Sequence, residues 1–472
     1  MTLRPPGRGG SLAIVLHTHM PWVLDHGTWP FGEEWLWEAI ATSYLPLLDL
    51  LDAGAPLTLS ITPVLADQLA HPETERRCAR FLGDLRATTH SRDAAELRAE
   101  GREEEAAAVE LSAADYRRAE ESWREIGGDL ITAFGQHAAW TSAATHEVLP
   151  LAAVDGAVRL QVETGIASHR QRFGDWAGGF WLPECGHADW LERTLAEAGV
   201  RAAVVDWTDV LGRGSNRLLV PHRSADGPLL VPLERELIEL AWSDDGYPAA
   251  PEYRNHHGLT THHHRAWSND GRPYDPDRAR SAIERDATAF VDAVAARLAG
   301  ARGAIADPLA VVAIDTEFFG HWWYEGVDWL GAVTRIASDR GVEIERLDDA
   351  LARRSTVLPV PEQLPVTTWG KDRDLSTWSG PKVADIAWRI RRTELGIRHA
   401  GRGVANPAAL RSLLALQASD WAFLADGGRT GEYPRERSDG HADAIRAAIS
   451  SGAPDRLEGL SPWLAEAALF RP

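Results

Sequence analysis

The length and charge of the chain exclude several kinds of protein. At 472 residues, the chain exceeds what one hydrophobic core usually organises, which predicts one large domain with smaller ones built around it. The formal net charge of −20 argues against a nucleic-acid partner, because clustered Lys and Arg hold such partners. A neutral polymer imposes no charge requirement on the protein that binds it, so such a substrate is compatible with the negative net charge.

Cysteine usage and the first residues predict the cellular setting. Cys78 and Cys185 are the only cysteines in the sequence, which are too few for a disulfide framework. The first 19 residues show no signal-peptide pattern. No run approaches the roughly 20 apolar residues that a membrane span needs. We therefore expect a cytoplasmic protein without a membrane segment.

Short apolar runs that end at polar or aromatic residues predict buried strands. They are SLAIVL (11 to 16), LTLSIT (57 to 62), GGFWL (178 to 182), RAAVVD (201 to 206) and LAVVAI (309 to 314). Helical patterns such as WLERTLAEAGV lie between them. This alternation is typical of an α/β barrel or a doubly wound sheet, whose functional site lies at the carboxyl ends of the strands.

Three segments depart from this alternation. Residues 70–127 are rich in Ala, Glu and Arg at helical spacing, which predicts a helical insertion. Residues 213–280 are punctuated by Gly, Pro, Asn and Asp, which predicts long loops over the site. After the Pro-Val-Pro linker at 359–361, only helical periodicity remains. We expect a barrel domain over 1–358 and a helical domain over 359–472.

Two strand ends carry carboxylates suited to glycosidic bond cleavage. Glu184 in WLPECGH follows one strand, and Asp315 and Glu317 in AIDTEFFGHWWYEG follow another. Cleavage needs one protonated carboxyl group to assist the leaving oxygen and one ionised group to attack or to activate water. Glu184 and Asp315 are the expected pair, and the sequence alone leaves open whether Asp315 or Glu317 is the acid.

A rival hypothesis is a zinc-dependent hydrolase or deacetylase. His17 and His19 alternate on a strand and point the same way, as two zinc ligands would. Asp206 and the stretch NHHGLTTHHHRAW (255 to 267) offer further ligands. Histidine also hydrogen-bonds sugar hydroxyls without a metal, and we favour sugar binding over zinc binding. We interpret the His262–His264 tract as part of a solvated loop.

Tryptophan is abundant, with 20 Trp against 7 Tyr and 10 Phe. Its flat ring stacks on the C–H face of a sugar while its N–H donates to a hydroxyl. Trp29 lies after the first predicted strand, and Trp369 and Trp378 lie in the polar segment TTWGKDRDLSTWSG (367 to 380). Packing explains tryptophans in surface loops poorly, so we predict glucan subsites there.

These motifs, in their order, resemble those of glycoside hydrolase family 57, and within it the α-1,4-glucan branching enzymes. HTHMPWV (17 to 23), TSAATHEVLPL (141 to 151), WLPECGH (181 to 187) and AIDTEFFGHWWYEG (313 to 326) resemble the first four family motifs. TTWGKDRDLSTWSG together with QASDW (417 to 421) resembles the fifth motif and the C-terminal signature. The resemblance covers nearly the whole chain.

The resemblance implies a (β/α)7 barrel with a helical insertion and an all-helical C-terminal domain. It implies a retaining double displacement on an α-glucan, without metal or cofactor, with Glu184 as nucleophile and Asp315 as acid/base. A glucan 6-hydroxyl then replaces water as acceptor, and the two carboxyl groups should lie about 5 to 5.5 Å apart. The residues expected to bind the glucan are His17, His19, Trp29, His146, Trp242, His321, Trp322, Trp369, Trp378 and Asp420.

Three departures from the family pattern bear on the activity. His187 stands where Tyr is usual, and Glu147 where Gly is usual. The segment 221–242, interpreted as a lid, contains no Tyr, whereas family branching enzymes carry a lid tyrosine implicated in transfer. The alternatives are therefore a hydrolase or 4-α-glucanotransferase of the same family, and a glucan-binding protein without activity. The roles of Glu317 and His187 stay open.

Overall fold

The computed structural model describes residues 10–224, 227–402 and 405–471, and within them one sheet dominates the fold. Its strands are β1 (Ser11–Thr18), β2 (Thr58–Ile61), β3 (Ala138–Ser142), β4 (Gly179–Trp181), β5 (Ala202–Val205), β6 (His222–Arg223), β7 (Leu229–Pro232), β8 (Leu309–Asp315), β9 (Glu343–Ile344) and β10 (Leu358–Pro359).

Seven of these strands form the wall of a parallel barrel. The pairing order is β7, β5, β4, β3, β2, β1, β8, and every pair in it is parallel. The N–H of Glu234, just after β7, donates to the carbonyl of Val311 in β8 at 2.8 Å and links the two ends of the row. The predicted α/β class and seven-stranded barrel are confirmed.

Helices cover the outside of the barrel and form the regions on either side of it. The barrel helices are α1 (Glu33–Ala39), α2 (Leu45–Asp52), α3 (Pro63–Leu69), α7 (Leu130–Phe134), α8 (Asp155–Phe173), α9 (Leu191–Glu197), α10 (Thr208–Leu211), α11 (Arg235–Ala241), α12 (Pro276–Ala301), α13 (Gly326–Asp339) and α14 (Leu347–Arg353). The helices between α3 and α7 are α4 (Thr74–Arg80), α5 (Ala87–Ala99) and α6 (Glu103–Glu125). After the barrel come α15 (Ser376–Ser379), α16 (Ala384–Ala400), α17 (Pro407–Leu416), α18 (Asp420–Gly427) and α19 (Tyr433–Ser451).

The segments predicted to be helical are helical in the structure. Helices α4 to α6 occupy most of 70–127, and α15 to α19 occupy much of the chain after 359. The exact boundaries of the three domains stay predictions. Among the described residues, no helix combines the length and the apolar character needed to cross a bilayer.

Strand register brings the predicted site residues to one rim. His17 in β1 pairs with Asp315 in β8, and Ser142 in β3 pairs with Trp181 in β4, three residues before Glu184. Because parallel strands share one direction, these residues all lie at the carboxyl edge of the barrel. The loop after β8 packs tightly there: a Cβ on Gly320, whose φ is +91°, would meet the Thr42 carbonyl oxygen at 1.7 Å.

Two interpretations of the sequence need correction. The segment 213–280 contains β6, β7 and α11, so it is not only loop. The interpretation of 221–242 as a lid is wrong for the same reason, because β7 is a buried barrel strand and α11 packs against β8 of the same barrel; residues 225 and 226 of that segment lie outside the described residues. Strand β3 (AAWTS) was not predicted, because it lacks a continuous apolar run.

Candidate active site

Glu184 stands in a strained turn directly after β4. Its φ of 59° and ψ of 24° place it in the left-handed region, which a non-glycine residue adopts only when its surroundings enforce it. Here the Glu184 carbonyl accepts the backbone N–H of Trp369 at 2.9 Å. The carboxylate accepts the indole N–H of Trp369 at 2.8 Å and the hydroxyl of Ser419 at 2.8 Å. Two donors from the helical C-terminal region therefore fix both carboxylate oxygens.

Asp315, at the end of β8, lies in the opposite kind of environment. Among the described residues, no group donates a hydrogen bond to its carboxyl oxygens. Burial, followed by the charges of Glu317, Glu184 and Asp420, raises the pKa of Asp315 well above its ordinary value. The group is therefore kept protonated and free to donate its proton.

The two carboxyl groups differ in how strongly they hold a proton. Burial also raises the pKa of Glu184, but the hydrogen bonds from Trp369 and Ser419 oppose the rise, as does His19. The charge of ionised Glu184 is one of the causes that raise the pKa of Asp315, so the two groups lose their protons one after the other. The first proton leaves Glu184, which gives one ionised nucleophile and one protonated acid, the combination that glycosidic cleavage requires.

A buried chain of hydrogen bonds leads along the barrel rim from His17 to Glu184. His17 Nε2 lies 2.9 Å from His146 Nε2, and His146 Nδ1 lies 2.9 Å from Ser419 Oγ. Because the Ser419 hydroxyl donates to Glu184, His146 Nδ1–H must donate to Ser419, and His17 Nε2–H must donate to His146. Burial lowers the pKa of both histidines well below 6.5, so both rings are neutral, as this order requires.

His19 plays a different electrostatic role from its neighbours. Its Nε2 lies 3.0 Å from Asp420 Oδ2 and its Nδ1 lies 3.1 Å from the Thr62 hydroxyl. Burial alone would lower the pKa of His19, but Asp420, Glu317 and Glu184 together raise it above 6.5. The ring therefore favours a positive charge close to the Glu184 carboxylate.

Glu317 holds the chain just after β1 in place. Its Oε1 accepts the backbone N–H of His19 at 3.1 Å and the hydroxyl of Tyr44 at 2.5 Å. Burial raises the pKa of Glu317 to about 7, with the Tyr44 hydrogen bond opposing the rise. Glu317 accepts hydrogen bonds from two donors, whereas Asp315 accepts none among the described residues. This difference favours Asp315 over Glu317 as the acid.

Tryptophans extend from Glu184 towards solvent. Trp369 meets Trp181 edge-on, with ring centres 5.0 Å apart, and Trp242 edge-on at 5.5 Å. Trp242 is 40% exposed and stacks on Phe318 at 5.6 Å. Trp242 and Trp369 therefore form a wall beside the nucleophile, in which Trp242 has a face available to a ligand.

The two most exposed of the predicted platforms are each backed by a histidine. Trp29 is 53% exposed and stacks on His263, with ring centres 4.4 Å apart. Trp322 is also 53% exposed and packs against His256 at 4.5 Å. His321, the neighbour of Trp322, is half-buried, and burial with nearby arginines lowers its pKa to about 3.

The histidine-rich segment that supplies these contacts is anchored rather than solvated. Asp93 of α5 accepts a hydrogen bond from His262 Nδ1 at 2.6 Å and one from the Thr260 hydroxyl. His264 is buried and stacks on His90 with centres 3.5 Å apart. The interpretation of the His262–His264 tract as a solvated loop is therefore wrong, because the helical insertion pins it.

Trp378 corrects a further prediction. The residue is only 3% exposed and packs with Val148, Ile386 and Trp421 in an apolar cluster of the C-terminal region. The polar residues around it suggested a surface loop, but Trp378 lies in the short helix α15, whose inner side is buried. The prediction that Trp378 stacks on a sugar is therefore wrong, because its ring is buried.

The two departures from the family motifs are both buried. His187 Nε2 lies 3.1 Å from Glu192, and its backbone exchanges two hydrogen bonds with Thr367, so it ties the third motif to the fifth. Glu147 is 3% exposed, and burial, followed by the charge of Glu394 in α16, raises its pKa well above 4.5. His187 thus joins the barrel rim to the C-terminal region, and Glu147 lies close to Glu394 of that region.

The rival zinc hypothesis requires three ligand atoms to converge on one point. The ring nitrogens of His17 face Ser60 and His146, and Asp206 accepts from the backbone and hydroxyl of Thr208. Within the described part of the chain, the single group of three possible ligand atoms lying within 4.8 Å of one another belongs to Asp93, Glu96 and His262. No such group includes His17 or His19, which disfavours zinc chemistry there.

Several residues of the site were not predicted. Ser419 stands next to Asp420 in QASDW, so the motif marked its position but not its role. Trp181 stacks on His17 with ring centres 4.5 Å apart, and the motif WLPECGH begins with it. Tyr44 lies within an ordinary helical pattern, and no local signal distinguished it.

A seven-stranded barrel whose rim holds one ionised and one protonated carboxyl group, neutral histidines and exposed tryptophans has the site of a two-carboxylate carbohydrate-active enzyme. Comparison with known proteins identifies the family. Residues 131–355 match the model of glycosyl hydrolase family 57, and residues 393–468 match that of the 1,4-alpha-glucan branching enzyme C-terminal domain.

Similar proteins agree with both matches. A 1,4-alpha-glucan branching enzyme of Thermococcus kodakarensis is 33% identical over 91% of this chain and 71% of its own. A probable 1,4-alpha-glucan branching enzyme of Mycobacterium tuberculosis is 31% identical over 96% and 94%. The crystal structure of a branching enzyme from Pyrococcus horikoshii superimposes with a TM-score of 0.87 at 28% identity, covering 98% and 97%. The chain belongs to glycosyl hydrolase family 57.

Proposed function

We propose that this protein is a retaining 1,4-α-glucan branching enzyme with Glu184 as nucleophile and Asp315 as acid/base. The observation that carries the proposal is the contrast between the two carboxyl groups. Glu184 accepts hydrogen bonds from Trp369 and Ser419, whereas Asp315 has no donor among the described residues and a pKa raised well above its ordinary value. One group is stabilised as an ion and the other as an acid.

The reaction then proceeds in two displacements. A Glu184 oxygen attacks the anomeric carbon of an α-1,4-linked glucosyl unit while Asp315 gives its proton to the departing 4-oxygen. The bond between sugar and glycosidic oxygen breaks, and a covalent glycosyl ester on Glu184 forms. Asp315, now ionised, removes the proton from a glucan 6-hydroxyl, whose oxygen displaces Glu184 and forms an α-1,6 bond.

The substrate is proposed to be an α-glucan bound between polar side chains and aromatic walls. His19 and Asp420 lie beside Glu184, and their nitrogen and oxygen atoms suit sugar hydroxyls. His17 and His146, also predicted to bind glucan, are buried and hydrogen-bond to each other, and through Ser419 they support Glu184 instead. Trp242 and Trp369 would flank the reacting unit, and Trp29, Trp322 and His321 would bind units further along the chain. A cytoplasmic setting is consistent with the free, buried thiols of Cys78 and Cys185.

A second candidate is a mainly hydrolytic member of the same family. It is favoured by one feature of the sequence: family branching enzymes carry a tyrosine implicated in transfer, and segment 221–242, whose strand β7 and helix α11 belong to the barrel, does not supply one. Water would then compete with the 6-hydroxyl for the same ester. The two functions share the first displacement and differ only in the acceptor.

Debranching analysis of treated amylose separates these functions. After incubation with the purified protein, an isoamylase digest should release short chains from new α-1,6 branches, with few new reducing ends before digestion. New reducing ends without branches would replace the branching function by hydrolysis. No change in the amylose would contradict both.

A further inference from the structure

A second cavity lies outside the catalytic rim, between the helical insertion and the barrel. Its volume is about 510 Å³, within the range of about 300 to 1,000 Å³ that small-molecule sites occupy. Side chains from α6, α12 and α13 line it, together with Arg254, Tyr274 and Tyr324. Neither catalytic carboxyl group nor any of the predicted glucan-binding residues belongs to its wall.

Arg254 in this wall is buried, and its Nε has no hydrogen-bond acceptor among the described residues. The residue is only 4% exposed, and its guanidinium carbon lies 4.0 Å from the ring centre of Tyr274 and 3.9 Å from that of Tyr324. Its Nε has no hydrogen-bond partner among the described residues, although its backbone N–H donates to Glu325 at 3.0 Å. A buried donor is ordinarily satisfied, so the wall presents an unused hydrogen-bonding group.

An unused acceptor accompanies this donor. Asp115 in α6 has one oxygen, Oδ2, that is buried and unpartnered, while its other oxygen binds Arg118. Asp115 and Arg254 line the same cavity. A hydroxyl group is both donor and acceptor, so a polyhydroxylated ligand would satisfy both.

The charges around the cavity select against an ionic ligand. Its wall holds equal numbers of arginines and carboxylates: Arg118, Arg254, Arg280 and Arg335 with Asp115, Glu284, Glu325 and Asp328. An anion would meet the carboxylates and a cation the arginines. The tyrosine rings add flat apolar surface of the kind that suits the C–H face of a sugar.

We propose that this cavity is a second binding site for α-glucan, separate from the site of bond cleavage. The proposal rests on the proposed function, which supplies glucan as the neutral polyhydroxylated ligand. A long chain held at both sites stays near the catalytic pair after one end dissociates, because the second contact raises its effective concentration. Chains too short to reach both sites gain nothing from it.

Maltoheptaose binding to the Glu184→Gln protein tests the proposal by calorimetry. We expect two equivalents to bind, and one when Ala114→Trp is added, because Ala114 lies in the cavity wall and the indole would fill it. Ala107→Trp is the matched control, since Ala107 is an exposed residue of the same helix outside the cavity. Arg118→Ala with Arg280→Ala, both exposed arms of the wall, is a second test should the indole disturb folding.

Kinetics on the catalytically active protein gives an independent readout. Ala114→Trp should raise the ratio of the KM for amylose to the KM for maltoheptaose about tenfold, and Ala107→Trp should leave it unchanged.

Equal stoichiometry and an equal KM ratio in all variants would overturn the second site. Loss of one equivalent in a protein that does not act on amylose would support the second site while contradicting the proposed function. Displacement of maltoheptaose from the cavity by inorganic phosphate would contradict its neutral character.

Discussion

The two carboxyl groups of the active site stand at the ends of β4 and β8 in contrasting surroundings. The β4 end is built jointly with the C-terminal region, which supplies Trp369 and Ser419 to the Glu184 oxygens. The β8 end receives no such donor among the described residues, and the negative neighbours Glu317, Glu184 and Asp420 surround Asp315 instead. Two similar acids thus receive different roles from what is packed against them, since hydrogen bonds favour the ionised form and like charges the protonated form.

This contrast also explains why the C-terminal helices belong to the catalytic unit. The Glu184 carbonyl and carboxylate both bind Trp369, and Ser419 joins Glu184 to the buried histidine pair. Removing the C-terminal region, which supplies Trp369 and Ser419, would leave a left-handed Glu184 without the contacts that hold it. The following predictions alter one side of the contrast at a time.

Replacing the acid should have the largest effect. Asp315→Asn removes the proton that assists the leaving group, so kcat/KM on amylose should fall about 10³-fold. The first displacement with an α-maltosyl fluoride should be much less impaired, because fluoride leaves without protonation. Rapid-quench measurement of fluoride release tests this, with Asp339→Asn on an exposed helix end as control. Equal losses on both substrates would remove Asp315 from the acid role.

Weakening the nucleophile's support should have the next largest effect. Ser419→Ala removes a hydrogen bond that lowers the pKa of Glu184, so that pKa should rise and the acidic limb of the kcat/KM profile should move to higher pH. Below the pH optimum the loss should be about 10- to 30-fold, the value of one hydrogen bond to a charged group. Ser379→Ala is the matched control, because Ser379 is an exposed residue at the end of α15 whose hydroxyl donates to the Leu375 carbonyl. An unshifted acidic limb would contradict this support role.

Removing the charge of Glu317 should act on the other side of the pair. Ionised Glu317 raises the pKa of Asp315, so in Glu317→Gln the basic limb should move to lower pH. Because the pKa of Glu317 is about 7, the variant and the original should diverge above pH 7, by roughly fivefold for an interaction of about 1 kcal/mol. A pH profile of kcat/KM checks the direction, and a shift of the basic limb to higher pH would contradict it.

The smallest effect is expected far from the carboxyl pair. His263→Ala removes the ring that backs Trp29, so the KM for amylose should rise about threefold while kcat is retained. His257→Ala, an exposed neighbour in the same segment, should not change the KM. A fall in kcat with unchanged KM would assign His263 a role other than supporting a binding platform.

The sequence predicted the strand ends better than their surroundings. Glu184 and Asp315 were found because buried strands end next to them, which is a local pattern. The opposite environments of the two groups depend on Ser419 and Trp369, which lie 235 and 185 residues from Glu184 in sequence. No local sequence pattern indicates contacts over such separations. For Trp378 the local sequence was misleading. Its polar sequence neighbours indicated an exposed loop, but residues distant in sequence bury it in an apolar cluster. Likewise, β7 escaped prediction because Gly and Pro precede it and only four residues form it.

Trapping of the glycosyl intermediate tests the central claim, namely that Glu184 is the nucleophile and Asp315 its acid/base partner. In Asp315→Asn, an α-maltosyl fluoride should load the protein, and the missing base should delay its release. Mass spectrometry of a peptic digest should then find the maltosyl group as an ester on Glu184, and its eventual transfer product should retain the α configuration. An adduct on another residue, or a β-configured product, would contradict the account.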